Sequence, residues 1–113
     1  MCLLISGGHA LITWVESVDK FQILGRNLDA APGDVFDKVA RRLKLANVKP
    51  EYRSLSGGAL IELFARKNGD PFAVQFNSLQ TRWNDCNFSF SGLMSSAIRK
   101  IERIEEENYI FCC

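Results

Sequence analysis

The sequence predicts an α/β (α+β) fold with a mixed sheet, and three observations support that prediction. Residues 1–25 hold three short apolar runs separated by tight-turn sequences, the pattern of neighbouring antiparallel strands. Residues 33–44 and 93–104 repeat apolar side chains at the spacing of one helix face. Residues 87–92 alternate polar and aromatic side chains, as a half-buried strand does. The 113 residues suffice for one domain with a modest core.

The first nine residues are the stretch around which the other elements are organised. An apolar run enters Ser6-Gly7-Gly8-His9, and a second apolar run follows at 11–15. We expect a buried strand, a turn whose glycines adopt the backbone angles that a sharp turn needs, and a second strand. A Ser-Gly-Gly turn also leaves backbone N–H groups uncovered, which suits an anion or a phosphate. A plain hairpin turn, closed by His9 as a polar residue, is the alternative. A polar turn at 16–20 then leads to a third strand at 21–25.

A first helix is predicted to begin near Gly33. Pro32 is tolerated at a helix start, and Asp34 places a negative charge at the positive end of the helix dipole. The predicted apolar face consists of Val35, Phe36, Val39, Ala40 and Leu43. Asp37 lies off that face, and two interpretations stay open for it. In the first interpretation, Asp37 forms an ion pair with Arg41 that is worth ~0.3–0.5 kcal/mol. In the second, it places a carboxylate at the edge of a cleft.

A second Ser-Gly-Gly, at 56–58, precedes a short helix predicted at 59–66. Paired glycines at a helix N-terminus let another molecule approach the backbone, although a plain turn and cap is the alternative. A turn at 67–71 and a strand or extended segment at 72–76 follow. Trp83 is expected to pack against the domain.

The last part of the chain is predicted to form a strand, a helix and the start of a further strand. The strand covers 87–92, and Ser91 is the predicted N-cap of the helix. An apolar run at 108–113 favours the further strand. The predicted apolar face of the helix consists of Leu93, Ala97, Ile98, Ile101 and Ile104.

Composition narrows the class of protein. Hydrophobic residues make up 47% and charged residues 24%, which is typical of a globular protein, and the longest apolar runs fall far short of a membrane span. A net charge of +1 gives no support for a nucleic-acid partner at the level of the whole chain, although a local patch stays open. Four cysteines without C-x-x-C spacing, and a single histidine, disfavour a zinc site within this chain and predict free thiols in a reducing compartment. No secretory signal or Arg-rich transit peptide is recognisable at the first residues.

Four short motifs follow one another between Leu3 and Ile98. They are Leu4-Ile5-Ser6-Gly7-Gly8-His9; Leu24-Gly25 and Leu28-Asp29 with the run from Ala31-Pro32-Gly33-Asp34 to Phe36-Asp37-Lys38-Val39-Ala40-Arg41; Ser56-Gly57-Gly58 with Glu62; and Asn87-Phe88-Ser89-Phe90-Ser91-Gly92-Leu93. Their order and spacing resemble the TsaD (Gcp) family, the tRNA adenosine threonylcarbamoyltransferases, formerly known as O-sialoglycoprotein endopeptidases. The Ala-Pro-Gly-Asp form, with Ala-Arg-Arg-Leu after it, is most similar to the mitochondrial branch in animals, and that similarity implies a mitochondrial location.

This resemblance implies an actin-like, sugar-kinase-like ATPase fold, in which residues 1–113 form a single partial domain within one lobe. Family members transfer a threonylcarbamoyl group from threonylcarbamoyl-adenylate to N6 of the adenine beside the anticodon in tRNA, to give t6A. The expected partners are therefore that adenylate and tRNA, without a membrane, and a homodimer stays open. A different enzyme of the same fold, such as a sugar kinase, is disfavoured because the Phe-Asp-Lys-Val-Ala and Asn-Phe-Ser-Phe-Ser-Gly-Leu runs are not kinase signals.

The resemblance also assigns residues to a nucleotide site. In the family, the first Ser-Gly-Gly contacts the phosphate of the nucleotide, and an acidic residue after the second glycine pair approaches the nucleoside. The residues that correspond to this site are Leu4, Ile5, Ser6, Gly7, Gly8, Asp37, Gly57, Gly58 and Glu62. Backbone N–H groups suit phosphate oxygens and carboxylates suit ribose hydroxyls. No catalytic residue is carried over to this chain.

The family binds one divalent metal ion, and its ligands have no counterpart in this sequence. A His-x-x-x-His helix precedes the Ser-Gly-Gly-His strand in the family, and a further metal-binding Asp belongs to the second lobe. Smaller departures are Ala10 in place of Thr and Asn87 in place of Asp. We therefore expect a family segment with little activity by itself. The alternative is a truncated, non-catalytic product that keeps only a nucleotide-contact or partner surface.

Overall fold

A computed structural model describes residues 1–76 and 85–111. The elements follow in the order β1 (Cys2–Ile5), β2 (Ala10–Ser17), β3 (Lys20–Arg26), α1 (Pro32–Arg42), two short 3₁₀ helices (Leu45–Asn47 and Pro50–Ser54), α2 (Gly57–Asn68) and α3 (Ser91–Phe111). Strands at the beginning and helices afterwards confirm the predicted α+β arrangement. The three predicted helices all form, with α2 starting earlier and α3 ending later than predicted.

The three strands form an antiparallel sheet in the order β1-β2-β3. Leu4 pairs with Leu11 across β1 and β2, and Thr13 pairs with Ile23 across β2 and β3. The turns between them fall where the sequence predicts. The segment after β3 then makes one parallel bridge, between Asn27 and Phe88. The strand predicted at 87–92 is therefore reduced to this bridge, which is the only parallel pairing in the described residues.

Three further predictions about strands are wrong in this structure. All four residues of β1 are exposed instead of buried, because β1 is an edge strand of the sheet. Of the two alternatives for residues 72–76, the strand is wrong. Phe72 lies in a turn, residues 73–74 form a bend and residues 75–76 belong to no helix or strand, since the Asp70 side chain and carbonyl accept hydrogen bonds from the N–H groups of Phe72 and Ala73. The strand predicted to begin at 108 is wrong because α3 continues to Phe111. Trp83 and the last two cysteines lie outside the described residues.

The core is small and lies mainly between α1 and α2. Its buried apolar residues are Ala10, Ala31, Val35, Ala40, Tyr52 and Leu60. Tyr52 packs edge-on against Phe64, with ring centroids 5.8 Å apart. The predicted face of α1 is only partly covered, since Phe36 remains 45% exposed. Much apolar surface of the sheet is also exposed, including Leu3, Ile5 and Phe21.

A bidentate ion pair joins α1 to α3. The Arg42 guanidinium donates to both carboxylate oxygens of Glu105, at 2.9 and 2.5 Å. This contact lowers the pKa of Glu105 and raises the pKa of Arg42. None of the helices in ranges 1–76 and 85–111 combines the length and apolar character needed to cross a bilayer.

Candidate functional site

The first Ser-Gly-Gly forms a closed turn between β1 and β2. Ser6 N donates to the His9 carbonyl at 2.8 Å, and His9 N donates to Ser6 Oγ at 3.0 Å. The Ser6 hydroxyl is therefore used to close the turn. His9 closes it through its backbone, which agrees with the interpretation of His9 as a turn residue.

Gly7 and Gly8 are not required by the backbone of this turn. No glycine within the described ranges has a positive φ, so the prediction that this turn needs glycine backbone angles is wrong. A Cβ atom at either position would meet nothing within 4 Å. Their N–H groups make no hydrogen bond to any other described residue. The two glycines thus leave two N–H groups without a partner among the described residues on an exposed turn, an arrangement that can accept an anion.

The first turn of α1 packs directly against Ser6-Gly7-Gly8. Gly33 N donates to the Gly7 carbonyl at 2.9 Å. A Cβ on Gly33 would lie 2.9 Å from Gly7 Cα, so a side chain there would push the two segments apart. Glycine at 33 is therefore required by close packing and fixes the position of the turn on α1.

The second Ser-Gly-Gly meets α1 one helical turn further along. Asp37 Oδ1 accepts a hydrogen bond from Gly57 N at 2.8 Å, and Ser56 Oγ accepts one from Ala59 N at 3.3 Å. A Cβ on Gly57 would collide with the Asp37 backbone. The predicted Asp37–Arg41 ion pair is absent from the described residues, because the Asp37 carboxylate is turned toward α2. The exposed Asp37 side chain makes no other hydrogen bond there, so its second oxygen is open to a ligand.

One face of α1 thus holds both glycine segments. Gly33 and Asp37 are four residues apart, which places them on the same side of the helix. Gly33 contacts the first segment through Gly7, and Asp37 contacts the second through Gly57. The structure therefore brings Ser6–Gly8, Asp37 and Gly57 into one continuous strip of surface.

The remaining predicted residues are less closely joined to this strip. Gly58 lies beside Phe36, at an ordinary packing distance of 3.9 Å for an added Cβ. Glu62 is four residues further on α2, exposed, and paired with Arg66 at 2.6 Å. Leu4 and Ile5 lie in β1, where they lead into the turn and are exposed. No described contact links Glu62 to Asp37.

Asp29 is a structural residue for which the sequence predicts no role. Its carboxylate accepts hydrogen bonds from Ser89 Oγ at 2.5 Å, Phe90 N at 2.9 Å and Ser91 N at 3.2 Å. It therefore caps the start of α3 from sixty residues away, and the prediction of Ser91 as the N-cap is wrong. The partial burial of Asp29 alone would raise its pKa, but the hydrogen bonds from Ser89, Ser91 and Phe90 outweigh burial and lower it. The sequence gives no local signal for this role, because the groups that Asp29 holds lie sixty residues or more further along the chain.

The metal ion that the family resemblance implies does not fit the described residues. No group of three or more His, Cys, Asp or Glu side chains in 1–76 and 85–111 is arranged to hold an ion. No chemical step is therefore assigned to a metal here.

Similarity to known proteins extends over nearly the whole chain. The profile of one family, tRNA N6-adenosine threonylcarbamoyltransferase (TsaD), matches residues 1–110. The chain belongs to the TsaD family. This membership confirms the resemblance inferred from the four motifs and, with it, the actin-like fold class.

Relatives from animals and bacteria show the same likeness. A mitochondrial tRNA N6-adenosine threonylcarbamoyltransferase of Danio rerio is 47% identical over 107 residues, covering 95% of this chain and 26% of that protein. The Homo sapiens protein of the same name is 44% identical over 110 residues, covering 97% of this chain and 26% of that protein. A Fervidobacterium nodosum tRNA N6-adenosine threonylcarbamoyltransferase is 40% identical over 107 residues, covering 95% and 29%. The chain spans about a quarter of the length of the animal relatives, and their names confirm the predicted similarity to the mitochondrial branch.

Proposed function

We propose that this TsaD chain is a segment of a mitochondrial tRNA N6-adenosine threonylcarbamoyltransferase and that it supplies one wall of the nucleotide cleft. The reaction moves the threonylcarbamoyl group from threonylcarbamoyl-adenylate to N6 of the adenine beside the tRNA anticodon. The observation that supports this role most directly is the strip on α1. There the Gly33 N–H donates to the Gly7 carbonyl, and the Asp37 carboxylate accepts from the Gly57 N–H.

In this proposal the first Ser-Gly-Gly binds the phosphate of the adenylate. Gly7 and Gly8 offer two N–H groups without a partner among the described residues, and nothing obstructs approach to them. The absence of side chains there has no packing reason, so close approach of a ligand is the remaining physical reason for two glycines. Leu4 and Ile5 position the turn as the end of β1.

The nucleoside part of the ligand is assigned to the second glycine segment. Asp37 keeps one carboxylate oxygen for a ribose hydroxyl while the other holds Gly57. Gly58 leaves the start of α2 open to the ligand, while Gly57 is packed against Asp37. Glu62 serves as a second acceptor for the nucleoside, since its exposed ion pair with Arg66 is worth only ~0.3–0.5 kcal/mol and is easily exchanged. The divalent metal, in this proposal, is held by residues outside this segment.

Nucleotide binding by the purified chain tests the proposal. We expect adenosine monophosphate, the nucleotide part of the adenylate, to bind in a titration followed by calorimetry. Gly8→Ala should weaken that binding about tenfold or more, because its methyl group projects from an otherwise open turn toward the phosphate. Asp37→Asn keeps an acceptor for Gly57 but removes the charge, and it should weaken binding with little loss of stability.

Gly92→Ala is the matched control for Gly8→Ala. A Cβ at Gly92 also meets nothing within 4 Å, and Gly92, in the first turn of α3, makes no hydrogen bond to Gly7, Gly8 or Asp37. Its nucleotide affinity should equal that of the unaltered chain. Equal affinities for the Gly8 and Gly92 variants, or no binding of the nucleotide at all, would contradict the proposed site.

The second candidate is a non-catalytic product that keeps only the nucleotide-contact or partner surface. The exposed apolar side chains of the sheet, such as Ile5 and Phe21, favour a surface that another protein part covers. A homodimer is one such arrangement. Adjoining genomic or transcript sequence separates the two candidates, because both lack turnover as an isolated chain. A transferase segment should be flanked by coding sequence for a His-x-x-x-His segment upstream and for an Asp-bearing segment downstream, and their absence from every transcript would favour the non-catalytic product.

A further inference from the structure

The charges of this chain are distributed very unevenly. Residues 38–67 contain eight Lys and Arg and two Glu, a formal charge of +6. The other residues contain six Lys and Arg and eleven Asp and Glu, a formal charge of −5. The net charge of +1 for the whole chain conceals this contrast.

In the fold, residues 38–67 form one connected region. They comprise the second half of α1, the two 3₁₀ helices and nearly all of α2, and these elements pack against one another. Six exposed cationic side chains define what we call the basic surface: Lys38, Arg41, Lys44, Lys49, Arg53 and Lys67.

None of these six cations is held in a close ion pair, although Lys44 lies near enough to Glu105 to help lower the pKa of that carboxyl. The two other cations of the segment, Arg42 and Arg66, pair with Glu105 and Glu62. Within the described residues, none of the six cations of the basic surface forms a salt bridge with a carboxylate. An unneutralised set of this size attracts a polyanion and repels other cations.

A buried aromatic ring organises part of the basic surface. Tyr52 is 7% exposed, and the ammonium groups of Lys49 and Lys67 lie 5.8 and 6.0 Å from its ring centroid. Lys67 Nζ also donates to Tyr52 Oη at 3.3 Å. Cation–π contacts hold both ammonium groups in place without neutralising them. The Tyr52 ring thus holds two positive charges at defined positions on the surface.

The basic surface continues to the candidate nucleotide site. Arg41 lines a surface groove together with Asp37, Ser56 and Gly57. A polyanion on the basic surface would therefore pass beside the strip that holds the proposed adenylate.

We propose that the basic surface binds the phosphate backbone of RNA, and that it is the part of this chain that holds the tRNA substrate; this inference rests on the proposed function. Lys and Arg side chains that contact phosphates supply affinity and position without reading sequence. The surface then places the tRNA so that its reactive adenine reaches the neighbouring adenylate site.

Fluorescence anisotropy with a labelled tRNA that reads a codon beginning with A tests this surface. The variant Lys49→Gln/Arg53→Gln/Lys67→Gln should bind about tenfold more weakly at low salt. The slope of log affinity against log salt should become shallower by roughly one unit for each cation that no longer meets a phosphate. The variant Lys49→Arg/Lys67→Arg keeps both charges and should keep the affinity.

Matched variants control for charge and for folding. Lys20→Gln/Arg99→Gln/Arg103→Gln removes the same three charges outside residues 38–67 and should bind RNA like the unaltered chain. Arg41→Gln/Arg53→Gln leaves the Tyr52 contacts intact and should still weaken RNA binding, even where the Lys67 variant folds poorly. Equal weakening by the outside triple variant would overturn the proposal.

Two further experiments are needed. The first distinguishes RNA from an anionic membrane as the partner, and the second distinguishes the RNA proposal from the nucleotide proposal. Vesicles of phosphatidylcholine with phosphatidylserine should not compete with the tRNA, and a chain that prefers these vesicles over RNA would contradict the inference. Nucleotide titration of the Lys49→Gln/Arg53→Gln/Lys67→Gln variant, which leaves Arg41 in place, distinguishes the two claims. Loss of RNA affinity with adenosine monophosphate binding unchanged supports the basic surface, and the same RNA loss in a chain that binds no nucleotide supports the surface while the nucleotide site fails.

Discussion

The two Ser-Gly-Gly segments of this chain are identical in sequence and used differently. In the first, Ser6 closes a turn between strands. The position of a Cβ on Gly7 is open, although Gly33 packs against the Gly7 carbonyl. In the second, Ser56 caps a helix and Gly57 is pressed against Asp37. The same tripeptide therefore provides a bare surface in one place and a close packing contact in the other.

The difference arises from the residues directly after each tripeptide. His9 and Ala10 lead into a strand, so the Ser6 hydroxyl finds the His9 backbone three residues on. Ala59 and Leu60 continue a helix, so the Ser56 hydroxyl finds the N–H of Ala59. In both segments, the serine hydroxyl accepts a hydrogen bond from the backbone N–H three residues further on. The periodicity of the residues that follow determines whether this contact closes a turn between strands or caps a helix.

The largest expected effect is that of Gly57→Ala on stability. The added methyl group collides with the Asp37 backbone, and relief requires α1 and α2 to separate. We expect the free energy of unfolding to fall by about 2–3 kcal/mol, as for overpacking in a close contact. Chemical denaturation followed by circular dichroism measures it.

Gly58→Ala, one residue further on, is the matched control. Its methyl group would lie 3.9 Å from Phe36 Cβ, an ordinary contact, so stability should stay the same or rise by up to about 1 kcal/mol. Similar losses for both variants would show that α2 rejects any side chain at its start, and the close-contact account of Gly57 would be wrong.

A smaller effect is expected at Asp29, which extends the comparison to α3. This helix begins at Ser91-Gly92, and the distant Asp29 carboxylate accepts from the Ser91 N–H. The Asp37 carboxylate accepts from the Gly57 N–H in the same way at the start of α2, where Ser56 is the N-cap. Asp29→Ala should lower the free energy of unfolding by about 1–2 kcal/mol at neutral pH. Because folding lowers the pKa of Asp29 below its ordinary value of 3.8, this stabilisation is present above that value and lost as the pH falls through the folded pKa.

Unfolding measurements at several pH values check this sign. The difference between the unaltered chain and Asp29→Ala should be largest near pH 6 and shrink below about pH 4. Ser89→Ala removes one of the three hydrogen bonds and should show part of the same dependence. A difference that grows on acidification would contradict the capping role.

Local sequence patterns predicted most of the secondary structure, but they could not predict contacts between residues that are distant in sequence. The three strands and three helices follow from periodicity and turn residues close in sequence. The wrong predictions at 72–76 and after 108 come from short apolar runs, which fit a strand or a helix equally well. In the structure, the Asp70 carboxylate accepts a hydrogen bond from the Phe72 N–H and favours a turn at the first run. The second run becomes helical because α3 continues to Phe111.

The sequence predicted which residues belong to the site but not the contacts that hold them together. Family motifs named Gly7, Asp37 and Gly57, yet the contacts that join them span twenty residues or more. The Asp29 cap spans sixty residues and needs the folded topology. A carboxylate in a connection gives no sequence signal for the backbone that it will hold, because the partner N–H group belongs to every residue type except proline.

The smallest expected effect on stability is that of Gly7→Ala, and it completes the comparison. The φ of Gly7 is not positive, and a Cβ meets nothing within 4 Å, so the folded turn accepts alanine without strain. Replacing glycine also reduces the freedom of the unfolded chain, so we expect the free energy of unfolding to change by no more than about 0.5 kcal/mol, in the stabilising direction. Thermal unfolding of Gly7→Ala beside Gly57→Ala measures the contrast in one experiment. A loss at Gly7 as large as at Gly57 would mean that the first turn needs its glycines for folding, and the bare backbone would then be no argument for a phosphate ligand.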